Sequence, residues 1–395
     1  MFRLNPELNA VVAPNAPIEP RWTARIGSTI SSSPTVYRTT LLVSGNDGLY
    51  GFDVFTGRVC WKIATPEPVM SAAVYSGNIV VVGQGGRDSR FDNSPYYVVV
   101  GGAGENAMLG VDLNALTLHW GFAIDGTGMP TAIIVHGVAL HHDGSGEIVA
   151  LNAHSGQYLW RENVGASASM TAINVLGPRA VVTAGMYKNE VVAFDPSDGR
   201  ILWRTSFSDN CSGFGDGPVA VAAGRVFGQY LAPLPTPKAA VGSAAARQHV
   251  YALDARTGRL LWDRAEESGV VPRWDQAAIP MAHGNAVFIG SAIAPYVLAL
   301  DVVTGRLRWR TRVGGPVKGS SVLSAGVVYF GDLAGDLWAL DARSGVVVGR
   351  KRMPDAFNVG SPIIVGRSLL IGSRNGYVFA LPLREIRESR DPLHD

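Results

Sequence analysis

Ala299-Leu300-Asp301-Val302-Val303-Thr304-Gly305-Arg306-Leu307-Arg308-Trp309 is the stretch whose reading decides the fold. A small residue, an Asp, a Thr-Gly pair and a Trp each have a local physical reason. The short Asp side chain accepts backbone N–H groups of a turn, Gly supplies a positive φ, and the small first residue leaves room for the indole of the following strand. The pattern recurs as Gly51, Asp53, Thr56, Gly57, Trp61, as Ala150, Asn152, Ser155, Gly156, Trp160, and as Ala193, Asp195, Gly199, Trp203. A further copy is Ala252, Asp254, Thr257, Gly258, Trp262. One weaker copy keeps Gly110, Asp112 and Trp120 but carries Leu116 at the glycine position, and another keeps Ala339, Asp341, Ser344 and Gly345 but ends in Gly349.

The intervals are 40 residues from Asp112 to Asn152, 43 to Asp195, and 40 from Asp301 to Asp341. That period, with strands that alternate (Leu49–Phe52) or run apolar (Ala132–Val135), describes four-stranded blades stacked on both faces. For the seventh repeat the strands are expected at 319–323, 327–331, 337–341 and 346–351. Residues 361–365, 368–372 and 377–381 make three strands of a last blade that lacks a fourth, and 21–26, with the orphan Trp22, can supply it. The expected fold is therefore an all-β, eight-bladed β-propeller closed by an N-terminal strand, which also removes open sheet ends. Its boundaries are read as an extension over 1–18, the propeller over 19–384 and a charged tail over 385–395, solvated or a short helix.

Composition agrees with a well-buried polypeptide: 47% hydrophobic, 17% charged, 47 Gly and 23 Pro for turns. A formal charge of +2 with no dense Lys/Arg run argues against a nucleic-acid partner. No apolar stretch approaches the roughly 20 residues of a transmembrane helix. Residues 1–20 have Glu7, Pro6 and Pro14 where an export signal needs an apolar run, so a cytoplasmic protein is expected, with a periplasmic one as the alternative if a leader has been removed. Cys60 and Cys211 are expected to be reduced thiols.

The motif copies resemble the tryptophan-docking repeats of the quinoprotein alcohol dehydrogenase-like superfamily, which includes pyrroloquinoline-quinone enzymes and the smaller propeller subunit of the bacterial outer-membrane assembly machinery. The resemblance covers nearly the whole chain and implies fold more than activity. The dehydrogenases of this type carry an adjacent cysteine pair and a calcium-binding Glu, Asn and Asp set with a catalytic Asp. Neither is found here, so no cofactor and no metal are expected, and size and blade count are closer to the assembly subunit.

Two motif intervals, Asp53 to Asp112 and Asp195 to Asp254, both span 59 residues, with the surplus near 84–106 and 229–248. A third surplus falls in the connection 264–276. B–C loops and D–A connections leave a blade at the same end, so all three are expected around one rim. The first loop offers Arg87, Phe91, Asn93, Tyr96 and Tyr97 as aromatic walls and hydrogen-bonding groups for a polar organic ligand. The second, rich in Pro, Ala and Gly, reads as a flap or exposed linker.

The starts of the inner strands place Met70, Met129, Met170, Asp209, Asn210, Asp216, Arg273, Trp274, Asp275, Gln276, Lys318 and Asn358 at the channel. Lys318 paired with Asp275 or Asp216 is the candidate catalytic set, since a buried ammonium beside a carboxylate can stabilise an oxyanion while the carboxylate acts as base. The same pair also reads as a purely electrostatic closure of the channel. Trp274 could stack on a flat ligand, the methionines read as pliable packing, and His141-His142-Asp143 as adjacent strand residues whose rings point apart. The leading expectation is a propeller that binds a small organic molecule, with acid–base chemistry of an isomerase, cyclase or lyase. The alternative is a scaffold gripping a peptide or protein on the looped face, and a quinone-dependent dehydrogenase is third.

Overall fold

The computed structural model describes residues 11–12, 18–86, 105–186, 188–208, 210–214, 216–234, 245–272 and 277–389. Eight antiparallel sheets follow one another in order along the chain. Blade 1 is Thr35–Tyr37, Thr40–Gly45, Gly48–Asp53 and Val59–Ile63, strands A to D from channel to rim, and the next six blades repeat that meander. In blade 7 the strands are Val322–Ser324, Val327–Gly331, Asp336–Asp341 and Val347–Arg352. Strand A begins later than expected because residues 319–321 belong to the inter-blade connection.

The last blade closes as expected. Strands Ile363–Val365, Ser368–Gly372 and Tyr377–Pro382 are completed by Trp22–Arg25, with Trp22 opposite Ala380 and Arg25 opposite Tyr377. Val11–Val12 adds a short parallel strand to the channel edge of Ile363–Val365, which the sequence pattern did not suggest. There is no single central core. Apolar residues pack in clusters between neighbouring blades, as where Ile26, Val36, Leu41 and Phe52 meet Ile363, Leu370 and Val378 across the closure. Runs such as Ile79–Val82 are buried throughout because both faces of their sheet are covered.

The motif works as a joint between blades. The Oδ1 of Asp301 accepts N–H bonds from Val303 and Thr304 and the Thr304 hydroxyl, and Gly305 takes φ 66° against the Trp262 ring of the preceding blade. Trp22, Trp160, Trp203, Trp262 and Trp309 each donate Nε1–H to a backbone carbonyl of the following turn. Blade 7, which has Gly349 where an indole is expected, uses another device. The C-terminal helix Leu383–Arg387 lies against it so closely that a Cβ on Gly349 would sit 2.1 Å from the Ile386 carbonyl. Ile386 is fully buried there.

Leu116, at a glycine position, is held at φ 55°. A left-handed L-residue costs about 1–2 kcal/mol. Leu116→Gly is therefore expected to raise stability by about 0.5–1 kcal/mol in urea unfolding, and an unchanged or lower midpoint would show that the leucine side chain repays its strain.

Candidate functional site

Because each blade is a four-stranded meander, its B–C loop and both D–A connections lie at one end and its A–B and C–D turns at the other. At the first end the eight connections enter the channel in a common register. The residue four before the first residue of strand A is Met70, Met129 and Met170 in blades 2 to 4, Asp216 in blade 5 and Lys318 in blade 7. The three methionines pack together.

Hydrogen bonds run from connection to connection around this collar. Thr35 Oγ1 donates to the Ala73 carbonyl, Ala72 N to Thr131 Oγ1, Thr131 N to the Thr171 carbonyl, and Thr171 Oγ1 to the Gly217 carbonyl. On the far side Ile279 N donates to the Lys318 carbonyl, Ser320 N to Ser361 Oγ, and Ser361 N to Ser33 Oγ. A bonded collar of this kind, made largely by threonine and serine hydroxyls, fixes the mouth.

The candidate residues fall on this end with unequal roles. Lys318 is buried, 7% exposed, and Asp216 is half-buried two connections away. Asn358 belongs to the connection next to Lys318, and a side chain on Gly319 would meet the carbonyls of Gly360 and Asn358 at 2.8 and 3.3 Å. Asn210 is on an exposed turn. Asp209, Arg273, Trp274, Asp275 and Gln276, and Arg87, Phe91, Asn93, Tyr96 and Tyr97 of the first insertion, lie outside the described residues.

The described ends of the second insertion and the start of the third are strand, and residues 235–244, the middle of the stretch read as a flap, lie outside the described residues. Blade 5 has Ala220–Ala222, Arg225–Pro233, Ala245–Asp254 and Leu260–Val270 as strands A to D, and its last three are 9, 10 and 11 residues long. Pairing continues to Pro233 opposite Ala246 and Ala245 opposite Val270. Ala245 and Ala246 are in the ladder, and Leu231 and Ala246 pack on Ile293 of blade 6. A three-stranded tongue thus rises above the rim.

At its base is a cluster that sequence reasoning missed. Tyr230 donates its hydroxyl to Asp263 Oδ2 at 2.6 Å, and His249 Nδ1 lies 2.9 Å from Asp263 Oδ1 and 3.1 Å from the Tyr230 oxygen. With the proton on Nδ1, the ring bonds the carboxylate and keeps Nε2 as its basic nitrogen. The His249 and Asp263 side chains are 22% and 26% exposed. Burial, then the Asp263 carboxylate, raises the Tyr230 phenol above its ordinary range, and the same two causes raise the Cys211 thiol. Phe207 and Phe214 cover the cluster, and the neighbouring Tyr251 hydroxyl is buried without a hydrogen bond over Gly228. The register of all three strands brings these residues together, with Tyr230 opposite His249 and Asp263 opposite Tyr251.

His142 and Asp143 are committed to the fold, whereas the ring nitrogens of the buried His141 make no hydrogen bond among the described residues. His142 Nε2–H donates to the Ala166 carbonyl at 2.6 Å and Nδ1 accepts from Thr183 Oγ1 at 2.8 Å. Asp143 accepts backbone N–H bonds from Gly126, Ser145 and Glu147. Burial pushes the His142 pKa down to about 4 from an ordinary 6.5. Above pH 6.5 the ring is neutral folded and unfolded and contributes no pH dependence. As pH falls from 6.5 to 4 the unfolded chain takes the proton first, so stability is lost across that window. His142→Gln, which keeps a donor and an acceptor, is expected to flatten the fall of the melting temperature between pH 6.5 and 4, and a parallel fall in wild type and variant would contradict this.

Fold and collar define the class as a PQQ-like eight-bladed propeller. The chain belongs to the family described as outer membrane protein assembly factor BamB, whose model matches residues 11–176, 144–268 and 246–385. It is 27% identical over 352 residues, 85% of this chain and 69% of the relative, to the tetrathionate hydrolase of Acidithiobacillus ferrooxidans. To BamB of Burkholderia pseudomallei it is 24% identical over 372 residues, 91% of this chain and 86% of that one. The solved structure of BamB from Moraxella catarrhalis superposes with a TM-score of 0.63 at 16% identity, covering 91% of this chain and 98% of its own, a likeness of fold.

Membership of this family corrects the expectation of a cytoplasmic protein. A family described by outer-membrane protein assembly is not a cytoplasmic one, and the composition of residues 1–20 could not decide compartment. Among the described residues no helix is long and apolar enough to cross a membrane.

Proposed function

We propose that this chain is a periplasmic scaffold that holds an extended polypeptide at the collar end, as a BamB-type assembly factor. The observation that carries the reading is family membership across residues 11–385. The tongue supports it physically. Its outer strand Leu260–Val270 has no further strand on its far edge among the described residues, which is the arrangement to which an incoming strand adds by main-chain hydrogen bonds. The methionine trio beside the channel supplies soft apolar surface that adapts to different side chains. Cutting the tongue back by joining Ala232 to Arg247 through Asn-Gly keeps the register below it. That variant is expected to bind an unfolded, strand-rich polypeptide at least about ten-fold more weakly in fluorescence anisotropy, and unchanged affinity would remove the tongue from the interface.

A second reading is acid–base chemistry on a small molecule at the collar, favoured by the burial of Lys318 and by likeness to a hydrolase. On that reading Lys318→Ala lowers turnover of a candidate substrate at least about 100-fold, and intact turnover would remove Lys318 from it.

A further inference from the structure

The end of the ring opposite the collar consists of A–B and C–D turns tied to each other. The N–H groups of Val54, Ala153, Ala255, Val302 and Ala342 bond the carbonyls of Thr39, Gly137, Gly224, Asn285 and Gly326. Two features recur around this rim. The residue after the turn glycine is an exposed arginine in four blades, Arg58, Arg200, Arg259 and Arg306, and Arg38 and Arg343 stand exposed in neighbouring turns. Between them stand apolar side chains in water: Phe55 is 43% exposed, Leu118 42%, Leu260 44%, Leu307 47%, and Val303 and Val346 60% each.

The turn carboxylates offset the cations only in part: Asp195 lies 4.0 and 3.9 Å from Arg179 and Arg200 and Asp301 bonds Arg308 at 2.6 Å, while Arg38, Arg58, Arg259, Arg306 and Arg343 stand in no ion pair among the described residues. Each carboxylate is folded into its own turn, as Asp53 Oδ1 accepts from Phe55 N, Thr56 N and Thr56 Oγ1, and Asp254 Oδ1 from Arg256 N, Thr257 N and Thr257 Oγ1. Guanidinium groups interleaved with aliphatic side chains suit one partner better than others. A soluble polyanion would leave the aliphatic groups in water, and a neutral apolar surface would leave the arginines without counter-charge. A lipid interface takes both, the apolar groups at the acyl boundary and the arginines on phosphates.

We propose that this turn end docks on the anionic surface of a phospholipid bilayer. The inference is independent of the polypeptide-binding reading, which concerns the opposite end. It directs the collar away from the membrane.

The test is co-sedimentation of the full chain with vesicles of phosphatidylcholine alone and with about 30% phosphatidylglycerol. Expected are binding to the anionic vesicles, weakening as salt screens the charges, and at least a ten-fold loss in the variant Arg58→Glu, Arg259→Glu, Arg306→Glu. Val303→Ser with Val346→Ser, which leaves every charge in place, is also expected to weaken binding. Equal binding to neutral vesicles, retention by the charge-reversed variant, or binding to an RNA oligonucleotide as tight as to anionic vesicles would overturn the proposal. Polypeptide binding measured on the same variants is expected to be unchanged, which separates failure here from failure of the scaffold reading.

Discussion

Trp309→Ala is expected to destabilise the propeller by about 3–5 kcal/mol, the range for truncating a buried large aromatic. Trp309 is 7% exposed, donates Nε1–H to the Ala342 carbonyl at 3.0 Å, and covers Gly345, where a Cβ would stand 2.5 Å from its ring. Removing it empties the joint between blades 6 and 7 and leaves that carbonyl without its indole donor. Equilibrium urea unfolding checks the result. A loss under about 1 kcal/mol would mean that the indole is peripheral and that the motif glycines serve their turns alone. The reverse substitution, Gly345→Ala, is expected to be costly for two separate reasons, because φ is 74° and the ring is already in place.

Ile386→Asp is expected to cost a similar amount, about 3–5 kcal/mol, although it lies in a five-residue helix at the end of the described chain. Ile386 is fully buried among Tyr329, Leu337, Phe379 and Leu383, an apolar cluster in which a carboxylate would be stripped of water. The helix takes the place of the indole that Gly349 cannot supply. Ile386→Val, which deletes one methylene, should cost only about 1 kcal/mol. If the Asp variant unfolded no earlier than wild type, the helix would be an ornament on blade 7 and its docking would need another explanation.

What could be read from the sequence is what local chemistry determines. Asp301, Thr304, Gly305 and Trp309 form one turn and one joint, so their spacing alone announces a blade. Trp22 announces the closure because a docking residue without its own blade must belong to the last one. The replacement for Gly349 was not readable, since it comes from a terminal segment whose charged residues look solvated and whose helix buries just Leu383 and Ile386, too few for a pattern. Tyr230, His249 and Asp263 are separated by 19 and 14 residues, and nothing short of the register of all three strands reveals that they touch. Ala, Gly and Pro suggest a flap over the second insertion, and composition does not reveal that at its described ends Leu231 and Ala246 have a neighbour in Ile293 to pack against. Lys318 and Asp216 were placed at the channel mouth by their offset from strand A, but offset says nothing of what a side chain meets across the opening.

The direct test of which end works on polypeptide compares two valines that are equally exposed at opposite ends, Val270 at 59% on the tongue and Val303 at 60% on the turn end. A benzophenone side chain is placed at each position in turn, and the purified protein is irradiated with an unfolded, strand-rich polypeptide as probe. Adducts from position 270 and none from position 303 are the expected result. Adducts from 303 alone, or none from either position, would contradict the assignment of the collar end as the binding surface.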